Sequence, residues 1–246
     1  SLHDALPISP LGRTVDADEK AVLFPLADLK PGERVLDVGC GDGTFTGEAA
    51  LCTGDVVGLD VSRTMLDAGA ARLAHVPGIR WVEGNATALP FPDASFDVVM
   101  AVAMLGVLPD PTAAIREFAR VLKPGGRVVL GVLNRWSSWA AERRVRGWLR
   151  PASVWRDARF STAADLRRLL GDAGFRDTVT RGVVYYPPID SAPFLRLARP
   201  AEQFARALRL PGAALLVAVG RRPDTLDRPP AQDRRGGTEP SAAARS

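Results

Sequence analysis

The strongest constraint on the fold is a regular alternation, between residues 34 and 133, of short apolar runs with longer segments of helical character. Residues 34–39 (RVLDVG), 56–60 (VVGLD), 79–84, 96–104 and 126–133 read as strands, several of them apolar almost throughout. Such strands must be covered on both sides, which is the pattern of a parallel sheet held between two layers of helix. The segments between them carry helix signals. Ser62 caps a helix reaching about His75, and Pro111 opens one that LKPGG breaks after Leu122. Crossovers between parallel strands are right-handed, so the alternation predicts a doubly wound, mostly parallel α/β sheet.

The flanks extend this pattern. Residues 16–28 read as a short helix interrupted by Pro25. Residues 135–150 are helical and rich in Trp and Arg. A helix starts at Ser161–Asp165 and stops at Gly174. Residues 175–186 form a strand broken by Pro187-Pro188, residues 193–210 an arginine-studded amphipathic stretch, and residues 213–221 a last strand. Seven strands result. Residues 1–9 have no period and read as a lead foreign to the domain, which would span 10–222. Residues 223–246 lack periodicity and read as a disordered tail.

Bulk properties narrow the class. No apolar run approaches the roughly 18 residues of a membrane span. The two cysteines, Cys40 and Cys52, make neither a disulfide framework nor a zinc site, and suggest a reducing, cytoplasmic setting. Charge is uneven. Residues 1–134 hold 11 Lys/Arg against 17 Asp/Glu, and residues 135–246 hold 21 against 11. A basic second half can attract an anionic substrate, lipid surface or nucleic acid, but its arginines are scattered and not blocked together.

Two local features point to a ligand. After the first strand comes Gly39-Cys-Gly-Asp-Gly43, then a helix. Glycines let the backbone approach a ligand closely, and amides at a helix start suit polar ligand groups. The spacing is G-x-G-x-G, not the G-x-G-x-x-G of dinucleotide sites. Asp60 ends the next strand, where an acid accepts hydrogen bonds from ribose hydroxyls in doubly wound folds.

Four segments then occur in a recognisable order: VLDVGCGDG (35–43), GLDVSRTML (58–66), EGNATALPFPDASFDVV (83–99) and LKPGGRVV (122–129). Together they resemble the class I S-adenosylmethionine-dependent methyltransferases, in the small-molecule branch that includes quinone-biosynthesis enzymes. The resemblance is strong over residues 31–134 and looser over 10–30 and 158–222. It implies a Rossmann-like, seven-stranded methyltransferase fold with S-adenosylmethionine as cofactor. By this resemblance Asp37 holds the methionine amino group, and Gly39, Cys40 and Gly41 pass beside the methionine portion. Asp60 and Val61 meet the ribose, Met65 packs near adenine, Asn85 and Ala86 meet the adenine edge, and Ala101 offers backbone oxygen. A helical cap after the fifth strand, with 135–160 and 187–212 as insertions, would shape the pocket of a small, bulky and partly apolar acceptor.

The chain departs from the family pattern in places. Position 85 is Asn where many relatives have Asp, and Leu105–Pro111 lacks the histidine pair common before L-P-D-P. His75, one of two histidines, falls at a helix end, so no obvious base is present. Tyr185 and Tyr186 are the candidates for contact with the acceptor, as strand-end residues on the ligand side of the sheet. Trp136, Trp139 and Trp148 line a lid, touch a membrane surface or pack an accessory helix. Other readings stay open: a binding protein without turnover, a nicotinamide-dependent oxidoreductase lacking a Tyr-x-x-x-Lys pair, or RNA methylation without a recognisable RNA module.

Overall fold

The computed structural model describes residues 9–149, 156 and 158–224. The expectations for residues 1–8 and 225–246, and for part of 150–157, lie outside the described residues. One seven-stranded sheet organises the chain, in the order β3-β2-β1-β4-β5-β7-β6. Its strands are β1 (Arg34–Val38), β2 (Asp55–Asp60), β3 (Ile79–Glu83), β4 (Phe96–Val102), β5 (Leu122–Leu133), β6 (Arg176–Val183) and β7 (Leu215–Arg221). The first five run parallel, and β7 lies antiparallel to both β5 and β6. The order reverses between β1 and β4, so a crevice opens outside the carboxyl ends of those two strands.

Helices cover both faces, as doubly apolar strands require. One core layer joins Val35, Val56, Val98 and Met100 to helix α1 (Pro10–Ala27) and α2 (Thr46–Thr53). The other joins Leu36, Val57, Val99 and Leu130 to α4 (Pro111–Val121) and α6 (Ala163–Asp172). The remaining helices are α3 (Arg63–Arg72), α5 (Ser138–Leu149) and α7 (Ala192–Ala207). The capping signals act as expected. Ser62 accepts from Met65 N, Asp110 accepts from Ala113 N, and Thr162 and Asp165 form a reciprocal capping box.

Three boundaries differ from the sequence reading. Helix α1 starts at Pro10, capped by Ser9, and continues through Pro25, which lies in its last turn. Strand β5 begins at Leu122, because the LKPGG segment pairs at Phe96↔Leu122 before an irregularity in register. Strand β6 ends at Val183, where Val184 takes φ +64° and leaves both tyrosines beyond the strand. A β-branched residue rarely adopts that backbone. Here Glu202 of α7, itself buried, accepts from the amides of Val184 (2.9 Å) and Tyr185 (2.6 Å).

Arg127, almost fully buried midway along β5, fastens α1 to the sheet. It donates to the carbonyls of Ala27 and Asp28 and twice to Glu33, both at 2.7 Å. The forked guanidinium suits this paired geometry.

Candidate cofactor site

Residues from four elements meet at the carboxyl end of β1. The glycine turn is hung from β2, since the amides of Gly39 (2.7 Å) and Cys40 (3.1 Å) donate to the carbonyl of Leu59. Its far side is held by Arg72 of α3, which donates to the carbonyl of Asp42. Gly39 has φ +69°, and a Cβ there would stand 2.8 Å from Cβ of Met104, so neither backbone nor space admits a side chain. Gly43 has φ +80°, and a Cβ there would meet the Trp81 ring at 2.5 Å. Gly43→Ala is expected to lower stability by about 2 kcal/mol, through strain and overpacking against Trp81, in a urea titration. A variant as stable as the parent would contradict this packing.

Asp37 lies inside β1 and is 2% exposed. Its Oδ2 accepts from Thr46 Oγ1 of α2 at 2.7 Å. Burial pushes its carboxyl up to about 6; the Thr46 bond opposes this, and the nearby Asp60 charge adds to it. A buried carboxylate in this state favours a cationic partner. Asp60 ends β2, with Oδ2 accepting from Gly41 N and Oδ1 from Ser62 N, both at 2.9 Å. Each oxygen keeps a further lone pair for a hydroxyl donor. The two carboxylates and the glycine backbone thus offer acceptors for an ammonium and for a ribose.

The flank where the resemblance puts adenine carries exposed apolar side chains. Val61 is exposed, and Met65 places Cε 3.4 Å from where a Cβ on Gly41 would sit. Asn85 uses its Oδ1 locally, accepting from the amide and hydroxyl of Thr87 at 2.9 Å each. That leaves its Nδ2 amide to donate to a ligand. Ala86 is buried, so it can offer only backbone. Cys40 turns its thiol toward Gly58, and burial raises that thiol's pKa, so only its backbone suits a ligand. Ala101 is fully buried within β4. The chain leaves the strand two residues later, where Ala103 takes φ +57° and donates to the carbonyl of Gly131 at 2.7 Å.

The tyrosines lie apart from this cluster. Tyr186 is buried, with its hydroxyl donating to Asp18 Oδ2 at 2.9 Å and its carbonyl accepting from Trp139 Nε1 at 2.7 Å. Burial raises the pKa of Asp18 above the usual carboxylate range, and that of Tyr186 above its phenolic range. Tyr185 lines a separate groove with Arg181 and Arg206. His75 is exposed beyond the end of α3. Sequence reasoning missed Thr46, Met104 and Asp18. Thr46 had a signal, as the first residue of the helix after the glycine turn. Met104 and Asp18 had none, because their partners are remote in the chain.

Fold and site together define a doubly wound domain with two carboxylates and a glycine turn at the switch point of its sheet. A family model described as a methyltransferase domain matches residues 36–130. The chain is 33% identical over 165 residues to the ubiquinone biosynthesis O-methyltransferase of Idiomarina loihiensis, covering 63% of this chain and 67% of that protein. It is 38% identical over 189 residues to an uncharacterised protein of Mycobacterium tuberculosis, covering 76% of this chain but only 61% of that relative's length. A solved structure, a possible histamine N-methyltransferase from Thermotoga maritima, superposes with a TM-score of 0.65 at 23% identity, covering 86% of this chain and 91% of that one, and shows the same fold. The chain belongs to the class I S-adenosylmethionine-dependent methyltransferases. The buried Asp37, the glycine cradle and Asp60 fit the ammonium and ribose of that cofactor.

Proposed function

We propose that this chain transfers a methyl group from S-adenosylmethionine to a small-molecule acceptor in the crevice above β1 and β4. The observation that carries the reading is the pairing of buried Asp37 with Asp60 across the glycine turn. Bound S-adenosylmethionine supplies an activated methyl group on a sulfonium that is its own leaving group. Asp37 would hold the ammonium, with Thr46 fixing the carboxylate's orientation. Asp60 would take the ribose hydroxyls, Val61 and Met65 would flank adenine, and Asn85 and the Ala86 backbone would meet its edge. The backbone leaving β4, from Ala101 to Met104, would close the methionine side. These groups bind and align, which is most of what an in-line displacement asks of a protein.

The methyltransferase domain in this reading spans 10–222, and the acceptor is walled by segments 135–160 and 187–212. Support comes from the N-terminal half of α1, which meets the segment after β6 through Tyr186–Asp18 and through Leu11 N donating to Asp190 Oδ1 at 3.0 Å. A bulky, partly apolar acceptor fits the buried Trp139 and Tyr186 there, and the likeness to a ubiquinone biosynthesis enzyme makes aromatic, prenylated compounds the first to screen. Among the described residues no helix is long and apolar enough to cross a membrane, and no group of His, Cys, Asp or Glu could hold a metal ion. Free Cys40 and Cys52 suit a cytoplasmic protein.

The test is formation of the demethylated cofactor product in a screen of phenolic, quinol and amine acceptors. Cofactor binding without turnover on any acceptor would favour a binding protein. Tyr186→Phe is expected to reduce turnover about tenfold, the effect of one lost hydrogen bond to a charged group, with cofactor affinity unchanged. An unaltered rate would remove the Tyr186–Asp18 pair from the acceptor site.

A further inference from the structure

Helix α7 carries apolar side chains on both of its faces. Leu195, Ala198 and Ala205 point into the core. On the outer side Leu197, Phe204 and Leu208 are 79%, 62% and 56% exposed. Their spacing of seven and four residues puts them on one stripe. An outward stripe of two leucines and a phenylalanine has no role in packing this domain. Just beyond the helix, Leu210 and Trp136 are also exposed, Trp136 at 70%.

The other flank of α7 is cationic, since Arg199 and Arg206 follow Leu197 and Phe204 by two residues, about 200° round the helix. Arg181, Arg206 and Arg209, together with Trp136, Tyr185 and Leu210, line a groove of about 580 Å³ beside edge strand β6. Arg196 and Arg199 stand on the exposed side of α7. Among the described residues none of these five arginines has a carboxylate within ion-pair distance. The one acid on α7, Glu202, is buried and committed to the amides of Val184 and Tyr185. Asp165 faces Arg135 at 3.7 Å, and Asp18 is engaged by the Tyr186 hydroxyl. Asp18 and Glu202 attract Arg206, and Asp18 attracts Arg199, so the fold offsets part of this charge, while Arg181, Arg196 and Arg209 keep theirs.

We propose that the outer face of α7, with Trp136 and the arginine groove, is a docking surface for the anionic phospholipid headgroups of a membrane. Leucine, phenylalanine and tryptophan side chains enter the headgroup–acyl boundary, while flanking arginines meet phosphates. Charge complementarity selects this occupant over a second copy of the chain, since two such cationic faces would repel. The proposal goes beyond methyl transfer and does not depend on it.

The test is flotation of the full chain with phosphatidylcholine vesicles, with and without about one-third phosphatidylglycerol, at low and high salt. Binding is expected only with phosphatidylglycerol and is expected to weaken with salt. Arg206→Ala with Arg209→Ala should weaken partitioning about thirtyfold, at roughly fivefold per arginine. Phe204→Ser with Leu208→Ser should weaken it at both salt concentrations. Circular dichroism and S-adenosylmethionine binding check that each variant folds. Absence of binding to anionic vesicles, or binding that neither pair of substitutions alters, overturns the proposal. So does competition by millimolar inorganic phosphate alone, which would make the groove a site for soluble phosphates, or a dimer abolished by Phe204→Ser, which would assign the stripe to a second copy.

Discussion

Asp60→Ala is expected to weaken S-adenosylmethionine binding by at least a factor of about one hundred. The carboxylate would accept two ribose hydroxyls, and hydrogen bonds to a charged group contribute roughly 1.5–3 kcal/mol each. The substitution also releases the amides of Gly41 and Ser62, which Asp60 holds at 2.9 Å, so the glycine turn keeps only its bonds to the Leu59 carbonyl as links to β2. Asp60→Asn keeps one acceptor and should fall between the two. Calorimetric titration of the three proteins, each shown to be folded, makes the comparison. A dissociation constant for Asp60→Ala within threefold of the parent would place the ribose elsewhere.

The second large effect centres on Asp37. In the native chain burial keeps its proton on up to about pH 6, against an ordinary value of 3.8. The native state therefore binds more protons than the unfolded state between those values, and stability falls as pH rises through that window. The cofactor-free chain should lose up to about 3 kcal/mol from this group between pH 4 and pH 7. Asp37→Asn should recover much of that at neutral pH while binding cofactor at least about a hundredfold more weakly, since no anion would face the ammonium. Affinity of the parent should rise about tenfold per pH unit up to about pH 6 and then level, with proton release on binding below that point. Urea titrations and calorimetry between pH 5 and 7 read both effects. Affinity that ignores pH across this range would mean that Asp37 does not meet the ammonium.

The sequence showed the sheet clearly because its strands are apolar on both faces. Val35, Val56 and Val98 lie on one layer, and Leu36, Val57 and Val99 on the other, so no alternation could mislead. The meeting of the glycine turn with Asp60 was equally legible, since both end neighbouring strands and Gly41 N donates to Asp60 Oδ2. The proposed acceptor side was not. Asp18 and Tyr186 are 168 residues apart and meet only because α1 packs beside the segment after β6. Helix α1 was read too short at its start, from residue 16, whereas it begins at Pro10 behind the Ser9 cap, and Pro25 in its last turn does not interrupt it. The tyrosines were placed on a strand that the positive φ of Val184 ends, and that backbone is set by Glu202, eighteen residues on.

The position of β7 has a consequence for how the chain acquires its structure as it emerges from the ribosome. Strands β3, β2, β1, β4 and β5 can pair as soon as residue 133 is available, and each meets its neighbours within that stretch. The open flank of β5 then waits for Leu215–Arg221, more than eighty residues later, along a ladder that runs from Arg127↔Arg221 to Leu133↔Leu215. Until then Val129, Leu130 and Val132 line an unsealed edge of apolar sheet, and edges of that kind recruit other strands. Closing so long a loop is slow, which extends the exposure. Nascent chains of this protein therefore pass through an interval in which five of the seven strands are in place and their edge is adhesive, and a chaperone that covers β5 would act in that interval.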